Sequence, residues 1–134
     1  MPNDWNAKVI EEFRANGGSV ANFGSRLLLL HTTGARTGHE HVTPVMYREV
    51  DGGYAVFASF AGQPRNPAWF HNLVANPDVV AEIGTQTLQL RARVTGDAER
   101  APIWTAHKAE FPGFADYEAK TTRQIPVVIL EPAG

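Results

Sequence analysis

Leu27-Leu-Leu-Leu-His-Thr-Thr-Gly-Ala-Arg-Thr-Gly-His-Glu-His-Val-Thr-Pro-Val-Met-Tyr-Arg-Glu-Val-Asp-Gly-Gly-Tyr-Ala-Val-Phe-Ala-Ser-Phe60 carries three strand-like segments joined by connections too short for a crossover. Leu27 to Thr33 is an apolar run too short for a helix and reads as a buried strand. Gly34-Ala-Arg-Thr-Gly38 is a loop bounded by glycine at both ends, and Val42 to Val50 reads as a second strand. Proline has no N–H to donate, so Pro44 fits that strand only at an edge or a bulge. Asp51-Gly52-Gly53 predicts a tight hairpin turn, and Tyr54 to Phe60, aromatic and β-branched, a third strand. Successive strands linked this closely must run antiparallel.

The flanking sequence extends that pattern. Asp4 is placed to cap a first helix over about residues 4–16, with Trp5, Val9, Ile10 and Phe13 on one apolar stripe and Gly17-Gly18 ending it. Asn66-Pro67 predicts a helix start, asparagine as cap and proline as first helical residue, and Asn76-Pro77 its end. Val79–Ile83 and the alternating Leu88–Thr95 read as strands. A helix is expected around Pro102–Ala109, a short one over Ala115–Thr121 after Pro112-Gly113, and a last strand over Val127–Leu130. The order β-β-β-α-β-β-α-β favours an α+β domain, an antiparallel sheet or barrel with helices beside it. No Gly-x-Gly-x-x-Gly follows a strand, which disfavours a Rossmann fold.

Composition narrows the chemistry. At 134 residues and 14.7 kDa, one domain over residues 1–134 is expected. A net charge of −2 argues against nucleic acid, which needs a basic excess. With no cysteine, disulfides, thiolate metal sites and cysteine nucleophiles are excluded together. The longest strictly aliphatic run is Leu27–Leu30, and the N-terminus is polar, so neither a spanning helix nor a signal peptide is expected. These features predict a cytoplasmic protein. The basic residues are nine arginines and three lysines, and arginine suits planar contacts with carboxylate and phosphate.

Four constellations could carry chemistry. Thr32-Thr-Gly-Ala-Arg-Thr-Gly38 could hold an anion on loop N–H groups and Arg36, or could be a plain hairpin loop with a solvated arginine. Ala58-Ser-Phe-Ala-Gly-Gln-Pro-Arg-Asn-Pro67 leads into a helix N-terminus, with Ser59 and Arg65 as polar groups; it could bind phosphate or a ring carbonyl, or simply connect strand to helix. Phe111, Phe114 and Tyr117 share one helical face, either core or the lining of a cleft. His39 and His41 would point the same way on a strand, but nothing fixes a third ligand, so no metal is expected. Ser19, Ser25 and Ser59 are not in a nucleophile elbow. These residues support a small antiparallel α+β domain in which an aromatic-lined cleft that holds an anion is one of the readings left open.

Longer segments resemble one family. Leu27–Gly38, Val42-Thr-Pro-Val-Met46, Ala58-Ser59, Asn66-Pro-Ala-Trp-Phe-His-Asn-Leu-Val-Ala-Asn-Pro77 and Thr121-Thr-Arg-Gln-Ile-Pro-Val-Val-Ile-Leu-Glu-Pro132 are similar to the deazaflavin-dependent nitroreductases and quinone reductases of actinobacteria, which use reduced coenzyme F420. The resemblance runs in order over nearly the whole chain. It implies a split β-barrel of the FMN-binding, pyridoxamine-phosphate-oxidase-like type, with flanking helices. It also implies hydride transfer from the deazaflavin to a small electron-poor acceptor: a quinone, a nitroaromatic or an activated enone. The cofactor does that chemistry while the protein binds and orients it.

Carried over residue by residue, the resemblance gives Arg36, Thr37 and His41 to the cofactor's phosphate and acidic tail. Pro44, Val45, Met46, Ala58, Ser59, Phe60, Ala61 and Gly62 are given to the cofactor, as are Arg65, Asn66, Pro67, Ala68, Trp69 and Asn72. Trp69, Phe111, Phe114 and Tyr117 are given to the substrate, with Tyr117 as the catalytic candidate that orients or protonates the product. His41 stands where the family more often has arginine, Phe60 where it has lysine, and Ala61 where it has glycine. Arg65 is the nearest candidate to supply the missing charge. The alternatives are an FMN-dependent reductase of the same fold and a non-catalytic deazaflavin carrier. The first helix is expected to dock on the barrel, with a second chain or a membrane surface as the alternatives, and a homodimer stays open.

Overall fold

Leu27–Leu30 forms a continuous apolar run because β1 (Leu27–Thr33) is buried on both faces. Side chains alternate across a strand, so Leu28 and Leu30 point into a barrel while Leu27 and Leu29 point out beneath a helix. The computed structural model describes residues 4–21 and 23–132, with backbone alone for Asp4, Trp5 and Ala61. The expected Asp4 cap, the Trp5 part of the stripe and the Ala61 side chain therefore lie outside the described residues.

Six strands close the barrel in the order β1-β2-β3-β6-β5-β4, and each neighbouring pair is antiparallel. They are β1, β2 (Glu40–Val50), β3 (Gly53–Phe57), β4 (Asp78–Ile83), β5 (Gln86–Val94) and β6 (Val127–Pro132). Inside lie Leu28, Leu30, Val56, Val79, Leu90, Val128 and Leu130, and α2 (Ala68–Ala75) adds Trp69 and Leu73 to the same cluster. Outside β1, α1 (Asp4–Ala15) packs Val9 and Phe13 on Leu27 and Leu29. Arg14 ties α1 to β4 by a two-pronged contact with Glu82, at 3.1 and 2.7 Å. Outside β3 and β6, α3 (Asp97–Glu110) and α4 (Gly113–Ala119) pack Trp104, Phe114 and Tyr117 against Phe57, Val127 and Ile129.

Pro44 meets the condition its chemistry imposes. Tyr47 N–H donates to the Arg26 carbonyl at 3.0 Å, and with Leu27 opposite Met46 the alternation makes Pro44–Leu29 a non-hydrogen-bonded pair. The missing N–H thus faces away from β1, toward β3. The β2–β3 ladder spans only Tyr47–Val50 and Gly53–Val56, so no strand waits there. Beyond Phe57 the chain stays with β6, through Ala58 N–H to the Pro126 carbonyl at 3.0 Å, and leaves β2. That divergence opens the wall of the barrel.

Several predicted boundaries move, each for a local reason. β3 stops at Phe57 rather than Phe60, because Phe60 takes a left-handed backbone (φ 47°) and starts a 3-10 turn over Phe60–Gly62. Asn66 does not cap α2: its side-chain oxygen accepts from Arg123 Nη1 at 2.7 Å, and Pro67 stands at the cap position instead. The third helix starts at Asp97 behind Gly96, with Pro102 inside it. The first turn gains from Asp97 and Glu99 next to the positive end of the helix dipole, whereas Pro102, past that turn, gives up the bond an N–H there would make to the Ala98 carbonyl.

Gly53 opens β3 against the Leu130 carbonyl so closely that a Cβ would overlap it. Gly113, at the start of α4, has open space around the same position. Gly53→Ala should therefore lower unfolding stability by about 2 kcal/mol or more, while Gly113→Ala stays within about 0.5 kcal/mol of wild type or slightly above it. Urea titration of the two variants checks this, and equal stabilities would contradict it.

Candidate active site: two cavities that meet at Trp69

The β1–β2 loop is shaped by its own backbone. Gly34 N–H donates to the His39 carbonyl at 2.8 Å, Gly38 N–H to the Gly34 carbonyl at 3.0 Å, and Gly38 has φ +73°. A Cβ on Gly34 would lie 2.8 Å from Thr37 Oγ1 and 3.1 Å from His41 Nε2, so the loop is folded tightly over that glycine. Helix α2 fixes it from the side: Asn72 Oδ1 accepts from Ala35 N–H at 3.1 Å, and Asn76 Nδ2 donates to the Thr33 carbonyl at 3.3 Å. One turn of helix separates the two asparagines, which places both on the face that meets the loop.

Between loop and helix lies a cavity of about 430 Å³, lined by Gly34, Ala35, Arg36, Thr37, His41, Thr43, Ala68, Trp69, His71 and Asn72. Around the other side of Trp69 lies a second, of about 320 Å³, lined by Phe23, Leu27, Pro44, Val45, Met46, Phe57, Ser59, Phe60, Pro67, Trp69, Phe114 and Tyr117. This second cavity occupies the gap where β3 leaves β2, and its walls are mostly apolar. The first has a cation at its rim.

Charge accounting shows which cation is available. Arg14, Arg48, Arg91 and Arg93 are engaged by carboxylates. Arg100 and Arg123 donate to backbone carbonyls, while Arg26 and Arg65 lie over the rings of Phe111 and Phe60 at 5.2 and 5.8 Å. Arg36 has no hydrogen-bond, ion-pair or ring partner among the described residues, and it lines the first cavity. Its charge is free to meet an anion.

Most of the residues expected at a site do converge. Arg36, Thr37, His41, Ala68 and Asn72 line the first cavity, Pro44, Val45, Met46, Ser59, Phe60, Pro67, Phe114 and Tyr117 the second, and Trp69 both. Ala58, Gly62, Arg65 and Asn66 lie along the adjoining loop and line neither cavity. Phe111 also lies outside both linings, between His107 (centroids 5.0 Å apart) and Arg26. His39 and His41 do not form a metal centre: among the described residues no group of three or more potential ligands is placed to hold an ion.

Sequence reasoning did not assign Phe23, Leu27 and Phe57 to the second cavity, nor Thr43 and His71 to the first. A period-2 reading of β1 and β2 could have found Leu27 and Thr43; nothing local signals the others. The hydroxyl of Tyr117 has no protein partner among the described residues, and Lys120 Nζ lies 6.0 Å from the ring centroid.

A closed antiparallel barrel whose wall opens where β3 leaves β2, with helices packed over it, defines a split-barrel fold. Structures under 25% identical share this fold, among them a putative pyridoxamine 5'-phosphate oxidase from Listeria innocua (10% identity, TM-score 0.60, 92% of this chain and 93% of that one). The model of the F420H(2)-dependent quinone reductase family matches residues 5–132, and the chain belongs to that family.

An F420H(2)-dependent quinone reductase of Mycobacterium tuberculosis is 38% identical over 106 residues, covering 77% of this chain and 71% of that protein. A solved F420-H2 dependent reductase is 38% identical with a TM-score of 0.72 over 79% of this chain and 94% of its own. Another solved structure, described as a domain-swapped dimer, is 35% identical with a TM-score of 0.75, covering 98% of this chain and all of that one. The protein is therefore an oxidoreductase of the coenzyme F420 class. No helix among the described residues is long and apolar enough to cross a membrane.

The residues present fit such a cofactor, which combines a flat ring with a phosphate and an acidic tail. An apolar cleft suits the ring. The adjoining loop, with an unpaired arginine, suits the anionic part.

Behind the second cavity His107 is fully buried. Its ring stacks on Phe57 (centroids 3.8 Å, 14°) and meets Phe114 edge-on at 4.4 Å, and neither nitrogen has a hydrogen-bond partner. Burial, with the nearby Arg48 charge, pushes its pKa from 6.5 down to about 4. The fold thus holds the neutral ring. Its contribution is complete above the unfolded pKa of 6.5 and is lost as pH falls through about 4. Over that window the loss should reach about 3 kcal/mol. His107→Phe should flatten the stability curve between those pH values in stepped-pH urea unfolding; parallel curves for variant and wild type would contradict it.

Proposed function

We propose that the protein passes reducing equivalents from reduced coenzyme F420 to a quinone or another electron-poor acceptor such as a nitroaromatic or an activated enone. The observation that carries this reading is an arginine with no partner among the described residues, in a cavity that shares Trp69 as a wall with an apolar one. The reading is supported by family membership and by the printed names of the relatives.

In this reading Arg36, with Thr37 and His41 beside it, holds the phosphate and acidic tail. Pro44, Val45 and Met46 form one wall for the ring, and Ser59, Phe60 and the Pro67–Trp69 turn form the opposite wall. When bound, reduced F420 supplies a hydride. The chain's own part is to exclude water and hold the acceptor against the ring. Phe114 and Trp69 present aromatic surface to a flat acceptor, and the unpartnered Tyr117 hydroxyl orients it or delivers a proton to its reduced oxygen. Arg65 lines neither cavity and serves a longer tail only from the rim.

The two roles separate in kinetics. Arg36→Ala should raise the Kd for F420 about tenfold, the worth of one charge-assisted contact, with kcat nearly unchanged. Tyr117→Phe should leave that Kd unchanged and lower kcat with a quinone by roughly tenfold or more. Fluorescence titration with F420 and steady-state quinone reduction read the two quantities. FMN binding in place of F420 would overturn the cofactor assignment, and F420 binding without turnover would make the protein a carrier.

A further inference from the structure

The loop that forms one wall of the apolar cavity is held from behind by a single side chain. Arg123, between α4 and β6, donates from Nη1 to the Ala58 carbonyl (3.1 Å) and to Asn66 Oδ1 (2.7 Å). Its Nη2 donates to the Ser59 carbonyl at 2.8 Å, and its Nε to the Gln63 carbonyl at 3.0 Å. All four acceptors are neutral, and no carboxylate pairs with the guanidinium among the described residues. Those acceptors begin and end the segment that carries Ser59 and Phe60 into the cavity and leads on to Pro67 and Trp69.

Local bonds, Gly62 N–H to the Ser59 carbonyl (2.9 Å) and Gln63 N–H to the Phe60 carbonyl (3.0 Å), close the 3-10 turn, but they do not account for the conformation at its start. Phe60 sits at φ 47°, a conformation that a bulky non-glycine residue holds only when its surroundings fix it. Arg123 grips the backbone on both sides of it, at Ala58 and Ser59 before and at Gln63 after. The segment also lies against α4: a Cβ on Gly62 (φ +79°) would lie 2.9 Å from the Tyr117 carbonyl oxygen. The wall is held by both a guanidinium fork and a helix end.

We propose that Arg123 is a positioning residue for cofactor binding. Without lining either cavity, it sets the place of the Ser59–Phe60 wall and of the turn into α2, and so sets how tightly the F420 ring is held. This rests on the reading of the second cavity as the ring site. The planar guanidinium matters more than its charge, because a lysine ammonium is one nitrogen and cannot span acceptors so far apart along the chain.

Arg123→Lys, Arg123→Gln and Arg123→Ala test this by two readouts: amide hydrogen exchange of the free proteins and F420 titration by fluorescence. Exchange should accelerate over residues 59–66 while the β1, β4 and β5 amides stay as protected as in wild type. The Kd for F420 should rise about tenfold in both the Lys and Gln variants, and millimolar guanidinium should restore binding to Arg123→Ala. A Lys variant that binds F420 like wild type would overturn the proposal, as would exchange that accelerates evenly across the barrel. If wild type itself fails to bind F420, the cofactor reading falls, and the exchange pattern alone still decides whether the clamp exists.

Discussion

The burial of β1 on both faces is the constraint from which the rest of the barrel follows. Leu28 and Leu30 supply one side of the interior, and β1 is the strand where the sheet closes, pairing with β2 on one edge and β4 on the other. Leu27 and Leu29 then need cover, which α1 provides with Val9 and Phe13. Burying each such side chain is worth about 2 kcal/mol, so four in a row contribute several kcal/mol of burial. With β1 fixed, Pro44 must lie opposite Leu29, and its missing N–H must face the strand that is not there.

The site grows out of that gap. β3 and β2 part beyond Tyr47 and Val56, and the space between them is filled partly by Trp69 at the start of α2. Trp69 divides the opening into an apolar chamber and a chamber with an arginine at its rim. Asn72 and Asn76 hold the loop of one, and the Ala58–Asn66 segment walls the other. In the proposed reading the flat end of the cofactor takes the apolar chamber and its anionic end the chamber with the arginine, and the polypeptide contributes orientation and shielding while the reactive centre is the cofactor's own.

Local chemistry made the hairpins legible. The glycine-bounded loop, Asp51-Gly52-Gly53 and the Asn66-Pro67 helix entry each announce a structure within a few residues. Pro44 was legible too, since its missing donor stated in advance the condition the barrel meets. The misplaced α3 start shows the limit of such signals: Pro102 looks like a first residue, yet dipole-favourable acids five and three residues earlier and the burial of Trp104 and His107 carry the helix through it. Asn66 looks like a cap, and a distant guanidinium takes its oxygen. Arg123 grips residues far away in sequence, and Phe111 and Phe114 both pack on His107 although only Phe114 reaches the cavity. Contacts of that kind leave no trace in periodicity or composition.

The direct test is the structure of the protein with F420 bound. The expected density places the ring between Pro44–Met46 and Ser59, with the phosphate and acidic tail passing Trp69 to Arg36 and the 34–38 loop. A ring lodged beside Arg36, or a tail leaving toward Phe23 with Arg36 still free, would contradict the division of the site into these two chambers.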